Sequence, residues 1–392
     1  MRVGEEITVL GGGIGGLAAA TALALRGGRV TVLEQASEIG EIGAGVQVSP
    51  NGFAVLDALG LAETARARGM HSRGVRLVDG LTGRDVVRMN LAGRRPGRDF
   101  LLFHRADLID MLLSRAVGLG VEVETGVRVT GVALDETGVT LETEGGPTRH
   151  APFVVGADGL HSRLRTAFNG ARKPFFTGQV AWRALVPAQG DEPVEATVWM
   201  GPRRHMVSYP LRHGELVNVV AVEERAGWPD EAAEGWHHPD DPANLRAAFA
   251  GFANAPKALI DRVEEVNLWG LFRHPVADRW HKGRAVILGD AAHPTLPFMA
   301  QGAMMALEDA WVLADSLSLG GLDEGPALYQ ARRRTRVVRV IGEANKNARN
   351  YHHANLLARA VGFGALRVIG GARPEALLRR YDWIYDRDVT RD

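Results

Sequence analysis

A run of glycines near the start of the chain has the spacing of a turn that binds phosphates. Gly11, Gly13 and Gly16 follow a short apolar run and precede a segment rich in Ala and Leu. The first glycine permits a tight turn, the second lets backbone approach a pyrophosphate, and the third allows a helix to pack closely on a strand. Because the N–H groups at a helix N-terminus attract phosphate, we also place Gly15 in this predicted dinucleotide site.

An acidic residue follows the glycines at the distance that a dinucleotide site requires. Glu34 lies 18 residues beyond Gly16, at the predicted end of the second strand. Its carboxylate can accept hydrogen bonds from a ribose diol, and its charge argues against a 2′-phosphate and therefore against NADP as the occupant. We place Glu34 and the adjacent Gln35 in the site, and the motif leaves the choice between NAD and FAD open.

These residues need a βαβ unit to position them, and the sequence predicts one. Residues 7–10 and 30–33 are short apolar or β-branched runs, and residues 14–25 between them are rich in helix formers. Residues 153–155 and 285–288 predict further buried strands of the same parallel sheet. Much of the stretch between these last two runs alternates in polarity and is split by turns, which predicts an antiparallel sheet.

The order of the elements predicts an α/β fold in which a Rossmann-like domain is interrupted by a β-rich domain and followed by C-terminal helices. We place the nucleotide-binding domain at residues 1–175 and 276–350, and the inserted sheet at residues 176–275. Residues 351–392 then form a separate helical segment. Within the second half of the chain we predict helices at residues 303–317 and 327–350.

Composition excludes several classes of function. The chain has 392 residues, no cysteine, and 46 basic against 46 acidic residues. Zero net charge argues against a nucleic-acid partner, and the lack of cysteine excludes disulfides and thiolate chemistry. We predict no metal site. No apolar run approaches the roughly 18 residues of a membrane span, and the short apolar start is unlike a signal peptide, so we expect a cytoplasmic protein without a membrane partner.

Two later segments bear on the choice between NAD and FAD. The sequence GADGLHSRLR begins at Gly156, and GDAAHPTLP begins at Gly289, with QGAMMALEDA following from Gln301. Together with the glycine turn, these segments resemble the class A FAD-dependent aromatic hydroxylases, in the group of salicylate hydroxylase and 3-hydroxybenzoate 6-hydroxylase. The resemblance implies the aromatic hydroxylase fold and bound FAD. Many members of the family have glycine where this chain has Ala300.

The resemblance assigns FAD-binding roles to particular residues. Asp290 would hydrogen-bond the ribityl chain, although an N-cap role remains compatible, and Arg105 would reach the phosphates. Asp158 would lie near the pyrophosphate, or act only in its turn, and Val129 would contact adenine through the backbone. A loop that begins at Gly43 would pass the isoalloxazine, and the resemblance places Gly45 and Val46 of this loop in the site. It also places there Gly289, Pro297, Gln301, Gly302, Ala303 and Met304.

The resemblance also implies an active site between the flavin and the inserted sheet. His213 resembles the active-site histidine of the 3-hydroxybenzoate and hydroxynicotinate branch, which carries a tyrosine four residues later. Here that position is Val217, and an exposed turn before Gly214 remains an alternative interpretation of His213. The other candidates on the substrate side are Phe298, Gln47 and, as a partner for a carboxylate, Arg183.

By this resemblance the protein is an NAD(P)H-dependent monooxygenase. NADH or NADPH, bound transiently, would reduce FAD, and O₂ would form a flavin C4a-hydroperoxide that hydroxylates a small salicylate- or 3-hydroxybenzoate-like ring. Two alternatives stay open: a monooxygenase, epoxidase or reductase of the same fold that acts on a secondary metabolite, and a non-catalytic FAD-binding protein. Basic and aromatic residues near the C-terminus could form part of a homodimer interface.

Overall fold

The glycine turn lies at the end of a six-stranded sheet. The computed structural model describes residues 4–40, 45–91, 97–228, 237–352, 355–372 and 374–392. The strands of this first sheet lie in the order His281–Lys282, Ala285–Ile287, Val154–Gly156, Glu6–Leu10, Arg29–Leu33 and Glu122–Glu124. All neighbours are parallel except the first pair. The predicted βαβ unit is confirmed.

Helix Ile14–Ala24 connects the two strands of that unit and is buried along most of its length. Its apolar residues surround the helix instead of forming one stripe, which is typical of a helix with neighbours on all sides. It packs against helix Arg105–Gly118 and against the first part of Gly302–Tyr351, which we call the long helix. The alanines of Ile14–Ala24 allow this close approach, so the glycine turn is held on a rigid support.

The second sheet has eight strands. Its strands lie in the order His237–Asp240, Val266–Arg273, Phe175–Pro187, Leu216–Glu224, Arg204–Leu211, Ala196–Gly201, Gly74–Asp79 and Asp85–Asn90. The last two strands precede residue 176, so the predicted limits of 176–275 were wrong for this sheet. Gly74–Asp79 joins it through a parallel pairing with Ala196–Gly201, and such a long-range contact leaves no local pattern.

Two small sheets complete the strands. Arg149–Ala151, Val139–Thr143 and Val129–Leu134 form one, and Gly45–Val48, Leu101–His104 and Met70–His71 form the other. The remaining helices are Pro50–Ala58, Ala62–Arg68, Arg163–Asn169, Pro242–Ala248, Asn254–Asp261, Leu356–Ala372, Pro374–Arg379 and Asp382–Tyr385. Short 3₁₀ turns lie at Gly159–His161, Arg212–Gly214, Gly289–Ala291 and Pro297–Met299.

The two helices predicted at residues 303–317 and 327–350 are parts of the long helix. A break divides it at Gly321, whose φ of 63° is a left-handed conformation that glycine adopts without steric cost. Pro326 follows within a few residues of this break, where the lack of a backbone N–H is tolerated more easily than in a helix interior. Among the residues that the structure describes, no helix is both long and apolar enough to cross a membrane.

Candidate active site

A cavity of about 1510 Å³ separates the glycine turn from the second sheet. It exceeds the roughly 300–1,000 Å³ of an ordinary small-molecule pocket, which gives room for a dinucleotide and a second ligand. Most of the predicted site residues line it, namely Gly11, Gly13, Gly15, Glu34, Gln35, Gly45, Val46, Gln47, Arg105, Val129, Asp158, Arg183, Gly289, Asp290, Pro297, Phe298, Gly302 and Ala303. Gly43, where the predicted flavin loop begins, lies outside the described residues.

The glycine turn has the geometry that its sequence predicts. A Cβ atom on Gly11 would lie 2.5 Å from the carbonyl oxygen of Ala157, and Gly11 has a φ of +105°. On Gly16 a Cβ would lie 1.9 Å from the carbonyl oxygen of Gly11, so Gly16 supports the turn from outside the cavity. On Gly13 a Cβ would meet no atom within 4 Å, which leaves its backbone open to a ligand.

Glu34 closes this turn and faces the cavity. Its carboxylate accepts hydrogen bonds from the backbone N–H groups of Gly12, at 2.6 Å, and Ala36, at 2.8 Å. These two bonds fix the carboxylate at the strand end, where a ribose diol would approach.

A second carboxylate, that of Asp290, enters the cavity from the turn after strand Ala285–Ile287. Gly289 has a φ of +58°, and its N–H donates to Asp309 Oδ2 at 3.1 Å, which anchors the turn. Burial raises the pKa of the Asp290 carboxyl, while the charges of His293 and Arg105 oppose the rise. An acceptor next to a guanidinium is suited to a ligand that carries both hydroxyl and phosphate groups.

Asp158 provides a buried acceptor that requires a partner. Its Oδ2 accepts the backbone N–H of Arg163 at 3.0 Å, but its Oδ1 is buried and has no hydrogen-bond partner among the described residues. Burial also raises the pKa of this carboxyl. Since an unsatisfied buried acceptor is costly, a donor on a bound ligand would stabilise this position. The turn, the three carboxylates and Arg105 therefore fit the ribose and phosphate groups of FAD.

Gln301 and Met304, also predicted to bind the cofactor, do not line the cavity, whereas their neighbours Ala300, Gly302 and Ala303 do. Gln301 is buried, and its Nε2 donates to Ser49 Oγ at 2.9 Å while its Oε1 accepts from Asn51 at 3.1 Å. Met304 is fully buried against Gly52, where an added Cβ would lie 2.0 Å from the methionine sulfur. Both side chains position the flavin loop from behind.

A buried ion network continues behind this loop. Arg333 Nε donates to Asp309 Oδ1 at 2.7 Å, its Nη1 lies 2.7 Å from Glu308 Oε2, and His293 contacts the other oxygen of Asp309. Burial would raise the pKa of the Asp309 carboxyl, but the charges of His293 and Arg333 outweigh it and hold the pKa at about 2. The network ties the Gly289 turn to the long helix.

On the substrate side, Arg183 and Tyr209 face the cavity from the second sheet. The Arg183 guanidinium lies 5.2 Å from the centre of the Trp269 ring, which supports it through a cation–π contact. Burial raises the pKa of the Tyr209 phenol well above its usual range, while the charge of Arg183 and a hydrogen bond with Gln47 oppose the rise. The Tyr209 ring fills the space that a side chain on Gly45 would need.

His213 does not reach this cavity, so its prediction as an active-site histidine was wrong. It lies in the exposed turn Arg212–Gly214 with a φ of 56°, because the chain must reverse there between two strands. The histidine in the cavity wall is His205, which is 2% exposed and lies 5.9 Å, ring centre to ring centre, from Phe298. Tyr209 follows His205 by four residues, so the histidine–tyrosine spacing of the related branch was present in the sequence eight residues earlier.

Comparison with known proteins defines the class. A model of the FAD-binding domain family matches residues 5–344, and the chain belongs to this family. It is an FAD-dependent flavoprotein monooxygenase, so the predicted cofactor and reaction class are confirmed. A 3-hydroxybenzoate 6-hydroxylase from Polaromonas naphthalenivorans (strain CJ2) is 37% identical over 402 residues, which cover 98% of this chain and 96% of the relative.

Solved structures agree with the predicted aromatic hydroxylase fold. Klebsiella pneumoniae HpxO complexed with FAD and uric acid is 28% identical, with a TM-score of 0.83 over 94% of each chain. A salicylate hydroxylase substrate complex is 25% identical, with a TM-score of 0.81 over 99% of this chain and 97% of the other. The predicted fold class, with its inserted β-rich domain and C-terminal helices, is confirmed.

Proposed function

We propose that the protein hydroxylates a small aromatic ring that carries both a phenol and a carboxylate, with 3-hydroxybenzoate as the model substrate. The observation that carries this proposal is the set of polar groups in the substrate-side wall: the guanidinium of Arg183, the phenol of Tyr209 and the imidazole of His205. A hydroxybenzoate can use all three, because its carboxylate can pair with the cation and its phenol can bond to the hydroxyl and give its proton to the base. The named relative acts on 3-hydroxybenzoate, which supports the same class here.

Arg183 is the proposed anchor for the carboxylate. A guanidinium presents parallel N–H donors that match the two oxygens of a carboxylate. The Trp269 ring beneath it limits its movement, so the bound acid is held in one orientation. Gln47 and Tyr209 then fix the edge of the ring, because their mutual hydrogen bond holds both polar ends in the cavity.

His205 is the proposed base for the phenolic proton. Burial keeps the pKa of His205 well below its usual range, and the adjacent imidazole of His352 adds to this effect, so the His205 ring is neutral and can accept a proton. Removing the phenolic proton makes the aromatic ring electron-rich, as an attack by electrophilic oxygen requires. When bound, FAD supplies the oxygen-transfer chemistry, with electrons from NADH or NADPH.

Water must be kept from the reacting centre, and the apolar part of the cavity wall provides this. Phe298 and Leu296 are buried on the flavin side, and Val222 and Val220 face them from the second sheet. These side chains enclose the ring of a bound substrate and leave few polar groups for water to occupy.

The test is oxidation of NADH and NADPH by the purified holoenzyme in the presence of 3-hydroxybenzoate, salicylate and 3-hydroxybenzamide, with the products identified. We expect stimulation and a hydroxylated product with the acids, and a weak response to the amide. His205→Gln should lower the yield of product per NAD(P)H, whereas His213→Ala, in the exposed turn, serves as the matched control. If no aromatic acid is hydroxylated, the proposal fails.

A second candidate is the hydroxylation of a larger apolar substrate. The cavity continues along an apolar wall formed by Leu77, Val87 and Met89 of the second sheet and by Phe363 and Leu366 of helix Leu356–Ala372. This extension exceeds the needs of a benzoate. The same assay with alkyl-substituted phenols would favour this candidate if they gave product and the unsubstituted acids did not.

A further inference from the structure

Behind His205, a second imidazole and a carboxylate continue the polar groups from the cavity to the surface. His205 Nδ1 lies 2.6 Å from His352 Nε2, and His352 Nδ1 lies 2.9 Å from Glu224 Oε1. The side chain of His352 is 1% exposed, whereas that of Glu224 is 39% exposed. We propose that these three residues form a proton relay that carries the phenolic proton of the substrate from the cavity to solvent. The inference rests on the proposed function.

The carboxylate at the outer end determines the protonation of both rings. An ionised carboxylate can only accept, so His352 Nδ1 must carry the proton that it donates to Glu224. The Nε2 of neutral His352 then accepts, and His205 Nδ1 must donate to it. This arrangement leaves His205 Nε2 as the accepting nitrogen of its ring. The relay is therefore poised to take a proton from the cavity side.

One proton moves at each link, and the balance is complete. The substrate O–H bond breaks as its proton bonds to His205 Nε2, while the Nδ1 proton of His205 moves to His352 Nε2. The Nδ1 proton of His352 moves to Glu224, which releases it to water and returns to the carboxylate. The products are a bound phenolate, two neutral imidazoles of the other tautomer and one proton in solvent. Reversal of the same steps returns a proton to the phenol oxygen of the product and restores both rings.

The groups around His352 keep it neutral and in place. Burial lowers its pKa, the Glu224 carboxylate raises it, and the charge of Arg204 lowers it again. Arg204 is itself paired with Glu223 at 3.3 Å. Gln179 Nε2 lies 3.4 Å from His352 Nδ1, farther than the 2.9 Å that separates His352 Nδ1 from Glu224 Oε1, so Glu224 is the partner of this nitrogen. The backbone carbonyl of His352 accepts the N–H of Arg203 at 3.3 Å, which ties the end of the long helix to the second sheet.

The middle residue of the relay comes from a part of the chain distant from its two ends. His205 and Glu224 are on adjacent strands of the second sheet, Arg204–Leu211 and Leu216–Glu224, whereas His352 follows the long helix. A buried imidazole is costly to hold in place unless both of its nitrogens are satisfied. His352 meets this condition only when it lies between a donor and an acceptor, which is the arrangement a proton relay needs.

The experiment follows the proton directly. Oxidised holoenzyme without O₂ is mixed with 3-hydroxybenzoate in weak buffer, with a pH indicator reporting proton release and the flavin absorbance reporting binding. In the wild-type protein, proton release should accompany binding. Glu224→Gln and His352→Gln should bind with little change in Kd but release the proton about 100-fold more slowly, the lower end of the range for general acid–base steps.

Glu215→Gln is the matched control, because Glu215 is an exposed acid that directly precedes strand Leu216–Glu224, at the end opposite Glu224 and His352. Its proton release should be unchanged. Since loss of His352 could disturb packing, a His352→Ala variant is also tested with added imidazole, which should restore fast release. Fast release in both relay variants, failure of imidazole to restore it, or no release by the wild type would overturn the inference. Failure of the wild type to bind any hydroxybenzoate would instead overturn the proposed function, and the inference with it.

Discussion

Replacing Arg183 with methionine tests the proposed carboxylate anchor. The guanidinium faces the cavity from the middle of strand Phe175–Pro187 and rests on Trp269, so methionine retains the bulk of the side chain but removes the charge. A hydrogen bond to a charged group contributes about 1.5–3 kcal/mol, which corresponds to an increase of roughly 10- to 150-fold in the Kd of an aromatic acid.

The assay compares two ligands that differ only in charge. The Kd values of 3-hydroxybenzoate and 3-hydroxybenzamide are measured from the change in flavin absorbance for wild type and Arg183→Met. In Arg183→Met the Kd of the acid should rise by the full factor of roughly 10 to 150, and the Kd of the amide should change little. Arg225→Met is the matched control, because Arg225 also stacks on a tryptophan, 4.8 Å from the ring centre of Trp182, but does not line the cavity. Equal losses for the acid and the amide would refute the anchoring role.

Three further changes follow from the geometry. Asp290→Ala removes one of the three cavity carboxylates and should give protein without FAD; a full complement of flavin absorbance would contradict this. Ala300→Gly relieves a residue at φ +52°, so the free energy of unfolding should rise by up to about 1 kcal/mol in urea titrations, and a fall would contradict the strain. Arg333→Met leaves Glu308 and Asp309 buried without their shared cation and should lower the free energy of unfolding by about 3–5 kcal/mol. The pKa of Asp309 in the folded protein is about 2, below its ordinary 3.8. The ionised Asp309 therefore stabilises the fold fully above pH 3.8, and this stabilisation is lost as the pH falls through 2. Melting temperatures of the wild type that stay level between pH 3.8 and 2 would contradict this.

The nucleotide half of the site could be predicted from the sequence because its constraints are local. A Cβ atom on Gly16 would clash with the carbonyl oxygen of Gly11, five positions earlier, so this steric rule acts within the turn itself. Glu34 lies where the second strand ends, and its distance from the turn is set by one helix and one strand. The same applies to Asp290, which directly follows a buried strand.

The substrate half could not be predicted in the same way, because residues from separate segments form it. Strand Gly74–Asp79 joins the second sheet through a pairing with Ala196–Gly201, more than a hundred residues later. His352 reaches His205 only after the long helix has crossed the molecule. The prediction of His213 failed for a different reason. The residues around it resemble those of the family, but the histidine in the cavity wall is His205, on the strand that precedes this turn.

The proton relay and the buried ion network also depend on tertiary contacts. Arg333 could be read from the sequence as one of several arginines on an exposed helix face, yet it is 1% exposed and bonded to two carboxylates. Its burial follows from the packing of the long helix against helix Ile14–Ala24 and the Gly289 turn, which no single segment determines.

We propose that the protein transfers one atom of O₂ to a ring carrying a phenol and a carboxylate. The direct measurement is mass spectrometry of the product formed from 3-hydroxybenzoate, NADH or NADPH and ¹⁸O₂ by the purified holoenzyme. We expect a dihydroxybenzoate that contains a single labelled oxygen atom. An unlabelled product, or oxidation of NAD(P)H that yields only hydrogen peroxide with every phenolic acid, would contradict it.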